Sequence, residues 1–290
     1  MKRFILAIIL VLAFGADSLA LNLRPYMQTP PEVQTFCKRV LDDGGTVVDV
    51  EYMDKTVKLL KQLGVWSNVK FLGDANMAYK SGVTTTVAKL YDLSGNNNDA
   101  VQATGANQPV WTAGAKSGKA GLVFDGTNDY LSSSYTYTGS ETGFSFLFVA
   151  SPGAAQSSLE GFFSPGRSAA DIRWFFIIGS SAVDGLGWAG TAGEVHLGAE
   201  AVGANVFKVR SYLKSSTVWN VWSNGSQVST NTADTSMPNA GAFTQYIGAE
   251  DSIQYFLSGT ILTTIMLDVI LTLSQRIAIE TFLNAYYSIY

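Results

Sequence analysis

From about Val83 to Leu271 apolar and polar residues alternate with a period of two, and this limits the chain to antiparallel β architecture. Phe144-Ser145-Phe146-Leu147-Phe148-Val149 is a strand dense in aromatics. Arg173 to Ile178, Val206 to Leu213, Val218 to Trp222 and the β-branched run Thr260 to Leu271 follow the same rule. Between Thr217 and Val228, Asn224-Gly225 supplies the positive φ angles of a type I′ turn, so this stretch reads as a hairpin. The turn also accounts for the glycosylation-like triplet Asn224-Gly225-Ser226. Composition agrees: 28 glycines suit short strands joined by tight turns, and 47% hydrophobic residues are enough to bury a core. No repeat of 20–50 residues is present, so 290 residues fit one large sandwich with a small helical accessory.

The segment before the alternation has a different character. Lys2 and Arg3 precede an apolar run from Phe4 to Ala16, followed by Asp17-Ser18-Leu19-Ala20. Thirteen residues span only about 20 Å as a helix, too short for a hydrocarbon core of ~30 Å. Residues 1–20 therefore read as a signal peptide cut after Ala20, which would take the net charge from −4 to −5. Thr29, Pro30 and Glu32 then suggest a capping box, with Val33, Phe36, Cys37, Val40 and Leu41 on one helical face. This places Cys37, the only cysteine, on a buried stripe as a small apolar filler. Gly44-Gly45 stops the helix; a second begins near Asp49, carries Met53, Val57, Leu60 and Leu63, and ends at Gly64. Residues 21–80 are thus a helical hairpin, too small to stand alone. At the other end Thr272 and Gln275 cap a closing helix with Ile279, Phe282, Leu283 and Tyr286 on its apolar side.

Only 14% of residues are charged, and no run of Lys or Arg follows the first three positions. Such a chain offers little to a phosphate backbone, which excludes nucleic acid as a partner. Nor does it suggest membrane affinity once a signal peptide is gone.

Several phrases occur in a telling order. Leu90-Tyr91-Asp92-Leu93-Ser94-Gly95-Asn96-Asn97-Asn98-Asp99-Ala100 is followed by Gln102-Ala103, Gln108-Pro109-Val110-Trp111 and Gly121-Leu122-Val123-Phe124-Asp125-Gly126-Thr127-Asn128-Asp129-Tyr130-Leu131. Tyr246-Ile247-Gly248-Ala249, Phe256-Leu257-Ser258-Gly259 and the helix at Leu273-Ser274 complete the series. The order resembles the concanavalin A-like, laminin-G-like jelly rolls of bacterial and phage proteins. The resemblance implies an all-β fold over residues 81–290, a two-sheet antiparallel jelly-roll sandwich with the helical hairpin before it and a C-terminal helix after it. It also implies calcium as a candidate cofactor, with Asp92, Asp125 and Asp129 the acids nearest the motif turns. The helical leader is similar to that of phage-associated members, although virions assemble in the cytoplasm and an export signal departs from that pattern.

Jelly rolls include glycanases, whose retaining members set two carboxylates about 5–5.5 Å apart through a Glu-x-Asp-x-x-Glu strand motif. The motif is absent. Glu194 and Glu200 share parity but lie about 20 Å apart along a strand, which leaves only an acid and a base drawn from separate strands. His196 is the only histidine, with no Gly-x-Ser-x-Gly elbow to serve. Gly185-Leu186-Gly187-Trp188-Ala189-Gly190 spells a dinucleotide fingerprint but lacks the following helix. The chain is therefore expected not to be an enzyme.

Sugar recognition needs an exposed aromatic with hydrogen-bonding neighbours. The candidates are Arg173, Trp188, Asn220 and Trp222. Asn220 and Trp222 share a face opposite Trp219 and Val221, and the alternation leaves open which face is core. The expectation is a secreted or cell-surface lectin-like module that binds a glycan or another surface polymer. The alternatives are a phage virion component, contacting other virion or surface proteins, and a polysaccharide hydrolase or lyase.

Overall fold

The computed structural model describes residues 29–290 except 83, 138–140, 154–159, 168–172, 179–182, 191–192, 202, 216–217, 232–240 and 250–254. It describes the backbone alone at 134, 136–137, 160, 162–167, 173–178, 183–190, 193–201, 231 and 241–243. The signal-peptide segment and its cleavage position lie outside the described residues. Among the described residues no helix is long and apolar enough to cross a membrane.

Helices α1 (Pro31–Asp42) and α2 (Val50–Gln62) come first, and helix α3 (Leu273–Tyr287) closes the chain. The strands are β1 (Thr46–Val47), β2 (Val69–Asp74), β3 (Ala78–Ser81), β4 (Val87–Leu90), β5 (Ala100–Val101) and β6 (Val110–Lys116). Next come β7 (Lys119–Asp125), β8 (Leu131–Tyr137), β9 (Gly143–Pro152), β10 (Glu160–Arg167), β11 (Arg173–Ile178) and β12 (Val183–Gly190). The last six are β13 (Gly193–Ala201), β14 (Lys208–Ser215), β15 (Trp219–Ser223), β16 (Ser226–Asn231), β17 (Gly241–Ile247) and β18 (Ser258–Leu267).

They form two antiparallel sheets. One has ten strands in the order β1, β3, β4, β5, β8, β17, β10, β11, β12, β13. The other has eight: β16, β15, β14, β9, β18, β7, β6, with β2 also paired to β18. Strands β7 and β2 share one edge of β18: Ser258 to Ile261 align with β7, and Thr263 to Leu267 with β2. The sheets begin before the alternation at Val83, because β1, β2 and β3 lie between and just after the first two helices. The helical segment is thereby stitched into both sheets.

The central strand β9 is buried along its whole length. Phe144, Phe146, Phe148 and Ala150 point into the core between the sheets, with Leu122, Phe124, Tyr212, Trp219 and Met266. Leu147 and Val149 point the other way, into a second core under the helices. That second core gathers Val33, Phe36, Cys37 and Val40 of α1, Met53, Val57 and Leu60 of α2, and Ile279 and Leu283 of α3. The molecule is thus a sandwich with a helical third layer on the eight-stranded sheet. A register shift between Ile261 and Thr263 makes β18 switch phase, so that Ile261 and Met266 face the inner core while Leu262 and Ile265 face the helices.

The helix ends follow the sequence with local departures. Pro30, not Thr29, is the N-cap of α1, and no side chain caps it; Glu32 instead pairs with Lys61 of α2 at 2.6 Å. Leu41 is exposed rather than part of the apolar stripe. Asp49 caps α2 through Tyr52 N, and Thr272 with Gln275 forms the expected capping box on α3. Cys37 is buried and burial pushes its thiol up to about 11, in keeping with an inert filler.

Two polar clusters bind the layers. At the edge, the Asp43 carboxylate accepts from Lys80 Nζ, Lys89 Nζ and Tyr91 Oη, and these donors hold it well below the usual carboxylate range. Arg39 donates to Asp99 at 2.7 Å and to the Asp92 carbonyl at 2.8 Å, tying α1 to the β4–β5 loop. In the interior, Asp74 of β2 is fully buried. Its Oδ2 accepts from Tyr52 Oη of α2 (3.1 Å) and Tyr287 Oη of α3 (2.5 Å), and its Oδ1 accepts from Asn76 N (2.7 Å). Asn76 Nδ2 donates to the Ala120 carbonyl, and Asn76 Oδ1 accepts from Ala120 N.

Burial raises the carboxyl of Asp74 above its ordinary range and raises both tyrosines as well. A raised carboxyl favours folding when protonated, and that contribution is lost as pH climbs through its folded pKa. Tyr287→Phe removes one donor from the carboxylate while keeping the ring. We expect a loss of about 1–3 kcal/mol in urea melts, larger at neutral pH than in mild acid. A cost that does not grow with pH would mean that Asp74 is not the acceptor that matters.

Candidate functional site

The backbone sets the residues singled out for sugar contact on two different sheets. Asn220 and Trp222 stand on β15 of the eight-stranded sheet, whereas Arg173 and Trp188 stand on β11 and β12 of the ten-stranded sheet. Backbone register pairs Arg173 with Ala189 and Trp174 with Trp188; the side chains of Arg173 and Trp188 lie outside the described residues. The open question about β15 is settled: Trp219 and Val221 face the inner core, and Trp222 faces the helical layer. The Arg276 guanidinium of α3 sits 4.5 Å over the Trp222 ring, itself paired with Glu280 at 2.5 Å. Trp222 is thus half-buried, with the Arg276–Glu280 pair over its ring. Asn220 is engaged by Gln227 Nε2 at 3.0 Å across the hairpin. The glycine-rich run at 185–190 is part of strand β12, paired on both sides, which rules out a phosphate loop there.

A different group of side chains gathers where the chain crosses between the sheets. The β7–β8 and β17–β18 connections both make this crossing, and they lie side by side. Gly126 N donates to the Leu257 carbonyl and Leu257 N to the Gly248 carbonyl, each at 2.9 Å. Tyr130 N donates to the Asn107 carbonyl at 3.1 Å, which adds the β5–β6 loop. Gly248 has φ +84, and a Cβ there would lie 2.2 Å from the Phe124 ring, so only glycine closes this corner.

On this rim the Tyr130 ring lies 6.0 Å from Tyr246 and 6.3 Å from Phe256, all three half-buried, and Tyr255 beside them is exposed. Asp125 Oδ1 accepts from Thr127 N (2.7 Å) and Asn128 N (3.2 Å), the short turn that the Asp-Gly-Thr-Asn phrase encodes. Asp129 Oδ2 accepts from Asp125 N at 3.1 Å. Asn128 Oδ1 has no hydrogen-bond partner among the described residues. Half-buried rings near an exposed carboxylate such as Asp125 have the chemistry to meet a sugar's CH face and a hydroxyl. The sequence contained these residues as family phrases; only the fold shows that Tyr130, Tyr246 and Phe256 converge.

The three acids considered for calcium behave differently. Asp92 Oδ1 accepts from Leu72 N and Ser94 N, and its Oδ2 accepts from Ser94 Oγ and Asn98 N. Its lone pairs are spent on building the 92–99 loop. No group of three Asp, Glu, His or Cys side chains suited to a metal gathers among the described residues, so Asp92 does not share a site there with Asp125 and Asp129.

No family model and no curated protein matches the chain. Solved structures do. The chain is similar to the binding domain of Paraclostridial Mosquitocidal Protein 1, at 11% identity over 76% of this chain and 53% of that one, with a TM-score of 0.53. It is similar to Trypanosoma rangeli sialidase at 11% identity over 82% of this chain and 39% of that one, TM-score 0.52. An α-L-arabinofuranosidase soaked with a cyclic sulfate inhibitor gives 11% identity over 79% and 65%, TM-score 0.53. The chain spans less than two thirds of each of these structures, and at such identities the likeness is one of fold.

Asp129 carries a further signature. Burial, then the neighbouring Asp125 charge, pushes its carboxyl up from 3.8 to about 6. A carboxyl raised in the folded state lends stability below its unfolded pKa and loses it as pH rises through the folded value. The wild type is therefore expected to lose thermal stability between about pH 4 and pH 6, and Asp129→Asn to flatten that slope. Parallel melts across this range check it; identical slopes would show that Asp129 titrates normally.

Proposed function

We propose that the protein is an exported, lectin-like carbohydrate-binding module of the concanavalin A-like, laminin-G-like kind, which holds a glycan or another surface polymer on the rim of its sandwich without chemical turnover. One observation carries this reading: Tyr130, Tyr246 and Phe256 form a half-buried aromatic cluster at a corner that also carries the exposed carboxylate of Asp125. Its fold neighbours, a toxin's binding domain and two glycan-directed enzymes, support it at the level of architecture. Export rests on the N-terminal segment, and a culture-medium chain beginning at Leu21 would bear it out.

Isothermal titration against glycans selected on an array tests the site. Tyr130→Ala and Phe256→Ala are each expected to weaken binding at least tenfold, about 1.4 kcal/mol. Trp222→Ala is expected to cost about 2–3 kcal/mol of stability and to leave the affinity of the folded chain unchanged. Affinity that follows Trp222 rather than Tyr130 would move the site off the rim.

One backbone feature favours the hydrolase reading as a second possibility to test. Cα register sets Asp184 of β12 directly opposite Glu200 of β13, two acids drawn from adjacent strands. A reducing-end assay on polysaccharides decides between the two. Release of sugar ends that Glu200→Gln abolishes would replace binding with catalysis.

A further inference from the structure

The charge of the rim goes further than its aromatic character. The described residues of its loops run over 102–109, 125–130, 246–249 and 255–258, and the charged side chains among them are Asp125 and Asp129. No Lys or Arg stands in these stretches to meet an acidic sugar. Elsewhere in the fold Lys80 and Lys89 pair with Asp43, Arg39 with Asp99, and Lys119 stands beside Asp49 and the Tyr286 ring. Asp125 and Asp129 are close enough for the charge of one to raise the carboxyl of the other. Asp125 is exposed and Asp129 is buried beside it, so a third acid brought to this rim by a ligand would meet a repulsion that salt screens in part. Hydroxyl and ammonium groups gain instead, because hydrogen bonds to a charged acceptor are about twice as strong as neutral ones.

Resting on the proposed carbohydrate-binding role, we infer that the rim selects glycans by charge: it takes neutral and amino-sugar polymers and rejects those bearing sialic or uronic acids. Asp125, the exposed member of the pair, accepts from ligand hydroxyls, and with the buried Asp129 it forms the repulsive element against carboxylated sugars. The aromatic rings supply affinity common to both classes, and the acids supply the discrimination.

The test uses the whole chain with three soluble probes at 50 mM and 500 mM salt: neutral manno- or xylo-oligosaccharides, chitosan oligomers and oligogalacturonate. The expected order is chitosan, then neutral sugar, then oligogalacturonate at least tenfold weaker than neutral. Raising the salt is expected to weaken chitosan, leave the neutral sugar unchanged and narrow the gap to oligogalacturonate. The Asp125→Asn, Asp129→Asn double variant is expected to close most of that gap; the salt series on the wild type carries the test if the variant folds poorly. Oligogalacturonate binding as tightly as the neutral sugar at low salt would overturn the charge selection while leaving carbohydrate binding intact. Failure of every array glycan and of all three probes to bind the wild type would instead remove the reading on which it rests.

Discussion

Two strands in the middle of the eight-stranded sheet, β9 and β18, carry apolar side chains toward both of their faces, and a sheet buried on both faces needs a layer on each side. The ten-stranded sheet covers one face over Phe144, Phe146 and Phe148. The helices cover the other over Leu147, Val149 and Ile265. Burying one such side chain is worth about 1.5–3 kcal/mol, so neither cover is dispensable. Two of the polar groups that enter this double core bring partners: Asp74 with two tyrosines and an asparagine, and Arg276 with Glu280 over Trp222. These pairs fix where α2 and α3 sit on the sheet, since a carboxylate left without its donors would cost more than its burial returns.

That arrangement decides where a ligand can go. The outer face of the eight-stranded sheet is closed by helices, so Trp222, which the alternation makes look like a platform, is spent on packing. The inter-sheet space is filled by aromatic side chains. What remains open among the described residues includes the ends of the sandwich, where strands hand over from one sheet to the other. The β7–β8 and β17–β18 crossings are held by backbone hydrogen bonds between Gly126, Leu257 and Gly248, which makes them a firm base for side chains that point outward. Loops on a rigid scaffold are where binding surfaces are built, and here the scaffold is rigid for reasons unrelated to any ligand.

The period-two pattern made the sandwich legible because a one-residue shift would turn every β9 phenylalanine to the wrong side. The Asn224-Gly225 turn and the Thr272–Gln275 cap were equally readable, since their chemistry is local: φ is +48 and +84 at the turn, and the box closes within four residues. Three things were not legible. Strands β1, β2 and β3 are short and interrupted by helices, so no alternation announces them; only pairing with β18 and β4 makes them strands. The side of β15 that faces the core depends on what covers it, which period two cannot tell. Tyr130 stands more than 100 residues from Tyr246 and Phe256 in the chain, and its meeting with them is a property of topology alone.

Helix α3 shows a pattern that was legible with one departure from it. The apolar side expected from the sequence, Ile279, Phe282, Leu283 and Tyr286, packs on the helical core. Its only charged residues, Arg276 and Glu280, are buried as well, while Leu273 and Ile277 are exposed. The buried pair is tolerated because Trp222 offers its ring to the guanidinium and Glu280 supplies the counter-charge one turn on, and the Tyr287 hydroxyl reaches Asp74 at the far end. Trp222 and Asp74 come from distant parts of the chain, so tertiary pairing adds to the helix's own apolar stripe in setting its orientation, and it leaves Trp222 half-buried under the guanidinium.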